Sequence, residues 1–191
     1  NIEKEKTLLT IPYVGGISTN RGIKETILVL ENVNKQIPCR LWLIGPCFEE
    51  GFLQELQKMD GWKYVDYLGQ LSQDRAFAYM ISSDIGIVTI LDVGDHATTS
   101  PNKLHEYQRF GLPFIASNFK QWIKKVGKTQ SGVFVNPSDI DEISKCVINL
   151  AKDEKLRKFM NSILLNFSLF SQKPLIPLYK LKILPTPLKH Y

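Results

Sequence analysis

The sequence has no apolar run of about 18 residues, the length that a membrane-crossing helix requires. It holds three cysteines, Cys39, Cys47 and Cys146, far apart and without a C-x-x-C pair, so a disulfide framework is not expected and reduced thiols fit best. Cys39 and Cys146 stand in apolar contexts and read as core residues, whereas Cys47, after Ile-Gly-Pro, reads as a partly exposed loop residue. The G-x-G-x-x-G fingerprint is missing, and no acid follows the second predicted strand, which disfavours a dinucleotide dehydrogenase. The first residues lack the basic-then-apolar form of a secretory leader and a start methionine, so a piece of a longer cytoplasmic chain is expected. Acids are absent from residues 155–191, which carry seven bases. The other 154 residues then hold 17 bases against 19 acids, a net of −2, so the body is not a basic nucleic-acid binder. The basic end suits an anionic membrane surface, peripheral at the inner face, and equally suits a solvated terminus.

What the sequence does contain is a regular alternation. In 191 residues with 43% hydrophobic and 23% charged side chains, there is room for one core of ordinary size. Strands are predicted over 10–14, 40–44, 64–68, 84–90, 113–116 and 132–135. Pro12 is placed at the tolerant beginning of the first of these. Helices are predicted over 23–35, 50–59, 72–81, 101–110, 119–126, 138–151 (capped by Ser138) and 154–165. Apolar strands alternating with helices give an α/β fold, a Rossmann-like doubly wound parallel sheet of about six strands flanked by helices. The domain is expected to occupy 1–166. Residues 167–191, with prolines 174, 177, 185 and 187, are expected to form a separable basic tail.

Sheets of this kind bind ligands beyond the carboxyl ends of their strands, where Gly15-Gly16, Gly45 and Gly69 fall. The stretch from Thr98 to Ser117 carries the rest of the expected site. Ser100 is read as an N-cap and Pro101 as the first helical residue, with Leu104 and Tyr107 at helical spacing and Gly111 as the stop. The backbone amides of Asn102, Lys103 and Leu104 would then face an anion, joined by the Lys103 charge, with Glu106 on the same helical face. A solvated helix with a weak Lys–Glu surface pair would leave the same pattern.

Pro101-Asn102-Lys103-Leu104-His105-Glu106-Tyr107, followed by Gly111-Leu112-Pro113-Phe114-Ile115-Ala116-Ser117, resembles the P-x-K-x-x-E-Y…G-x-P-x-x-A-S signature of group 1 (family four) retaining glycosyltransferases. The resemblance implies the C-terminal, sugar-nucleotide-binding domain of a two-domain GT-B enzyme. A hexosyltransferase of glycan or polysaccharide biosynthesis is implied, its acceptor-binding N-terminal domain being absent here. Tyr13-Val14-Gly15…Arg21-Gly22 is similar to the family's Y-x-G-x…[RK]-G turn, which implies that Gly15 and Gly16 let the donor approach and Arg21 grips its diphosphate. Tyr67-Leu68-Gly69-Gln70-Leu71-Ser72 resembles the turn that holds the nucleotide base, placing Leu71 and Ser72 at the base edge. Glu106 matches the second glutamate of an E-x7-E pair and is implied to hold the ribose hydroxyls. Arg21, Lys103 and Glu106 are the expected catalytic residues.

The sequence departs from the pattern twice. Gly16 stands where many relatives carry a base, and Thr98 stands where the first glutamate of the pair orients the hexose. A catalytically silent nucleotide-binding or interaction domain of the same fold is therefore the alternative. Asp92, Asp95 and His96 on the preceding polar loop read as solvated rather than metal-binding. No metal and no cofactor beyond the donor substrate are expected.

Overall fold

The structure, a computed structural model, describes residues 8–99, 101–127 and 131–170, with side chains as far as Ser162. The order is β1 (Leu9–Val14), a 3-10 turn (Thr19–Arg21), α1 (Ile23–Val33), β2 (Cys39–Ile44), α2 (Phe52–Gln57), a second 3-10 turn (Asp60–Tyr64) and β3 (Val65–Gly69). There follow α3 (Gln73–Ile81), β4 (Gly86–Val88), α4 (Asn102–Arg109), β5 (Phe114–Ser117), α5 (Lys120–Val126), β6 (Gly132–Val135), α6 (Ile140–Lys152) and α7 (Glu154–Phe170). All strand pairs are parallel, β1-β2-β3 forming one ladder and β4-β5-β6 another. The six expected strands are present. Ile23, Ile27 and Leu30 of α1 pack with Ile143 and Val147 of α6 over one face. Phe77 and Met80 of α3, Leu104 and Tyr107 of α4 and Trp122 of α5 form the core of the other. Helices on both faces of a parallel sheet are the doubly wound arrangement expected from the alternation.

Where the two ladders meet, between β1 and β4, a proline replaces a strand amide. The N–H groups of Leu9 and Gly15 donate to Pro38 O and Ile44 O on the β2 side, so Pro12 presents its missing N–H to β4. Pro12 is therefore interior to a central strand, not at a tolerant beginning. One backbone bond and two side chains stand in for the ladder there. Asp84 N–H donates to Thr10 O at 3.0 Å, and Thr10 N–H donates to the Asp84 carboxylate at 2.8 Å. The Tyr107 hydroxyl, reaching in from α4, is shared between Pro12 O at 3.1 Å and Ile87 O at 3.2 Å. Gly86 makes room for the Tyr107 ring, which lies 2.7 Å from where a Cβ would stand.

Several expected boundaries move. Pro101 is the N-cap of α4, extended at φ −68° and ψ 139°, and Asn102 is the first helical residue; Ser100 lies outside the described residues. Asp139, not Ser138, caps α6, because its carboxylate accepts the Glu142 N–H at 2.8 Å while Ser138 N–H donates to Asn136. β4 is three residues long, since Asp84 is engaged with Thr10 instead of pairing along β5. α2 begins only after Gly51, at φ +75°, and ends before the unexpected turn at Asp60–Tyr64. Cys39 is buried as expected, but Cys146 is only half-buried, beside the core rather than in it. α7 runs to Phe170, and the rest of the expected tail lies outside the described residues.

Tyr107→Phe keeps the ring in its place and leaves two buried carbonyls without their shared donor. Urea unfolding should show a loss of about 1–3 kcal/mol, and an unchanged midpoint would show that the seam does not depend on this hydroxyl.

Candidate functional site

The carboxyl ends of β1, β2 and β3 converge on a stack of glycines. Gly15 N–H donates to Ile44 O and Gly45 N–H donates to Gly69 O, drawing the three turns together. Gly45 adopts φ +142°, and a Cβ there would stand 2.0 Å from Gly15 O. Gly45 is thus the bed on which the Gly15 turn rests, buried beneath it, rather than part of the exposed surface. Gly15 itself, also at φ +142°, leaves a hollow: its missing Cβ would lie 2.7 Å from Lys103 Nζ. The Tyr13 hydroxyl donates to Gly16 O at 2.7 Å and fixes the turn, while the space around the Gly16 Cα is open.

Above these turns lies a cleft of about 480 Å³. One side is formed by Val14, Gly15 and Arg21, and the opposite wall by Leu71, Gln73, Ala76 and Phe77. Its floor is the first turn of α4, with Pro101, Asn102, Lys103 and Glu106. Arg21 ends the 3-10 turn whose first N–H, on Thr19, donates to the Glu49 carboxylate at 3.1 Å. Gly22, at φ +72°, then lets the chain pass against Thr89 O, where any Cβ would collide.

Lys103 Nζ lies 4.6 Å from the centroid of the Tyr13 ring, a cation–π distance. Burial and, secondarily, the Arg21 charge lower its pKa to about 8, with Glu106 opposing. Burial pushes the Glu106 carboxyl above its ordinary value, with Lys103 opposing. Lys103 and Glu106 are thus held partly out of water by the fold, and an anion beside the ammonium would offset the cost of its charge. Between about pH 8 and the ordinary lysine range the unfolded chain holds one more proton at Lys103 than the folded chain, so this residue makes the ligand-free fold more stable as pH rises there.

The structure therefore brings together Gly15, Arg21, Leu71, Asn102, Lys103 and Glu106. It does not bring in all the residues expected from the sequence. Thr98 is exposed outside the cleft, its hydroxyl donating to Asp95 O at 2.9 Å. Ser72 is the exposed N-cap of α3 without a side-chain capping bond, and its neighbour Leu71 lines the wall instead. Leu104 is buried in the core, and its N–H donates to Pro101 O at 3.2 Å, so the expected trio of outward amides loses one member. Asp92 and Asp95 are exposed, and His96 Nδ1 lies 3.1 Å from Leu91 O. Sequence reasoning missed Gln73, Ala76 and Phe77, whose spacing on one face of α3 marks a wall only when the predicted turn at Leu71 is extended into the helix. The Trp122 indole, expected to pack or to cover the loop, does both: it is buried and donates to Thr99 O, pinning the chain just before α4.

Comparison with known proteins decides the family. A match to the model of the glycosyl transferases group 1 spans residues 9–153. The chain belongs to this family. No curated protein matched it. Among solved structures, WaaG, a glycosyltransferase involved in lipopolysaccharide biosynthesis, superposes with a TM-score of 0.72 at 12% identity, over 88% of this chain and 44% of WaaG. The C-terminal domain of the group 1 glycosyltransferase LpcC from Francisella tularensis gives 0.68 at 19% identity, over 86% of both chains. HepE of Anabaena, solved with UDP and glucose, gives 0.68 at 16% identity, over 85% of this chain and 44% of HepE. At these identities the likeness is one of fold. The chain spans less than half the length of WaaG and HepE, and most of the isolated LpcC domain.

A diphosphate bound against Lys103 requires the ammonium form, so binding should take up a proton near pH 8. ADP affinity measured by calorimetry should fall by about tenfold or more between pH 7.5 and pH 9.5. Lys103→Arg should flatten that slope, and an equal slope in the variant would remove Lys103 from the site.

Proposed function

We propose that this chain is the donor-binding half of a retaining hexosyltransferase that uses a nucleoside diphosphate sugar. The observation that carries this is the Lys103 ammonium, seated in the hollow of Gly15 and sharing one cleft with Arg21 and Glu106. Arg21 and Lys103 would hold the diphosphate. As the bond from the anomeric carbon to the diphosphate oxygen breaks, both would offset the charge that develops on that oxygen. Glu106 would accept hydrogen bonds from the ribose hydroxyls, and the base would lie against Leu71 and Phe77. The pairing of HepE with UDP and glucose on the same fold supports a nucleotide sugar as ligand. The acceptor would be held by a separate N-terminal domain, so this chain alone would bind donor without turning it over. Its working place would be the cytoplasm, on glycan or polysaccharide synthesis, with the basic C-terminal end available to an anionic membrane. Among the described residues no helix is long and apolar enough to cross one.

The second reading, a catalytically silent nucleotide-binding domain, is favoured by one observation. Thr98, which stands where the family resemblance places the hexose-orienting glutamate, is not part of the cleft lining, and its hydroxyl donates to Asp95 O. Transfer or donor hydrolysis by the full-length protein separates the two readings.

Calorimetry against UDP, GDP and ADP should show binding in roughly the micromolar to millimolar range. Arg21→Ala and Lys103→Ala should each weaken the diphosphate more than the bare nucleoside. Glu106→Gln should cost about tenfold and abolish the preference for ribose over deoxyribose, with stability nearly unchanged. A preference that survives the substitution would mean that the ribose lies elsewhere.

A further inference from the structure

Lys103 is an amine that shares its cleft with a second cation, Arg21, which would draw a phosphate-bearing reagent toward it. We propose that Lys103 is a modification site, acylated at Nζ by acyl phosphates, and that acylation closes the cleft to diphosphates. The inference rests on the reading of the cleft as an anion site. The cleft has a volume of about 480 Å³ and opens to solvent, and Lys103 lines it beside Arg21, Asn102 and Glu106. Arg21 supplies the fixed cation that would seat the phosphate, with its acyl carbon directed at the neighbouring amine. Among the described residues Nζ makes no ion pair, whereas Lys24 and Lys158 are paired with Glu55 and Glu154. Nζ is held over the Tyr13 ring at 4.6 Å, next to the hollow of Gly15.

The charged and titratable groups facing it are Arg21 from the turn after β1, Tyr13 from β1 and Glu106 from α4 itself. Burial and Arg21 bring the ammonium to a pKa of about 8, against the opposing pull of Glu106, and burial keeps the Tyr13 phenol protonated. At pH 8 about half of Lys103 is free base, against less than about 1% of an ordinary surface lysine. The neutral nitrogen's lone pair attacks the acyl carbon, and the bond from that carbon to the phosphate oxygen breaks. Inorganic phosphate leaves with the electron pair, and the surplus proton on nitrogen passes to solvent. The product is a neutral amide. Of the two cations lining the cleft, only Arg21 then remains, and the acyl group stands in the space a diphosphate would take.

Incubation with acetyl phosphate at pH 8, followed by peptide mass spectrometry, reads the initial rate at each lysine. Lys103 should react at least about tenfold faster than the exposed Lys120, Lys124 and Lys125. Arg21→Ala should slow Lys103 without slowing the other three, and an uncharged acetylating ester should show a smaller preference for Lys103 than acetyl phosphate does. A Lys103 rate no greater than those of the exposed lysines would overturn the proposal. An Arg21→Ala variant that reacts as fast as the parent, or an equal preference with the uncharged ester, would do the same. ADP calorimetry on the unmodified chain keeps the two readings apart. ADP binding with an unreactive Lys103 defeats the acylation alone, while a selectively reactive Lys103 without ADP binding defeats the donor reading and leaves the acylation standing.

Discussion

Everything at the open end of this sheet depends on how α4 is held against β1, and the Tyr107 hydroxyl ties the helix to that strand while Leu104 and the Tyr107 ring pack it in the core. Pro12 cannot donate to β4, so a continuous six-stranded ladder is not available. The Tyr107 hydroxyl bridges the two strands at that point and fixes α4 to both. Lys103 is four residues before Tyr107 on the same helix, so the depth of the phenol sets the height of the ammonium over the Gly15 turn. The fold's weakest join and the site's most constrained charge are two ends of one helical turn.

The electrostatics follow from that placement rather than from unusual residues. A lysine and a glutamate three apart on a wet helix would form a weak surface pair. Here the Gly15 hollow and the Tyr13 ring withdraw the amine partly from water, and desolvation becomes the leading influence on both Lys103 and Glu106. Arg21 then raises the cost of the second positive charge, which an anion between them would relieve. The glycines do this indirectly: Gly45 has no side chain so that Gly15 can sit low, and Gly15 has none so that Lys103 can sit close.

The strand and helix alternation was legible because the buried strands β1, β2, β4 and β5 read as apolar runs, and Gly111 and Gly69 mark real stops. The donor cleft was legible where its residues belong to short contiguous motifs, as at Pro101–Glu106 and Tyr13–Gly15. It was not legible where the outcome depends on three dimensions. The Thr98 hydroxyl is taken up by Asp95 O, and Gly45 lies under Gly15 O, where a Cβ would collide. Pro12 looked harmless at a strand end because nothing near it in the chain shows Tyr107, 95 residues later, supplying a hydroxyl to its carbonyl. The cap of α6 is Asp139, whose carboxylate accepts the Glu142 N–H, one residue beyond the Ser138 that the sequence offered.

The seam has a mechanical consequence. Gly15 rides on the β1-β2-β3 block, whereas Lys103 and Glu106 ride on α4, which packs with the β4-β5-β6 block. The jaws of the cleft therefore belong to different halves of the sheet, joined where the amide ladder is interrupted. A small slide of one half past the other is resisted there by a phenol, a carboxylate and the Asp84–Thr10 backbone bond instead of a full row of backbone bonds. Such a slide would change the gap between Gly15 and Lys103 directly, so the compliance of the joint is also the compliance of the grip.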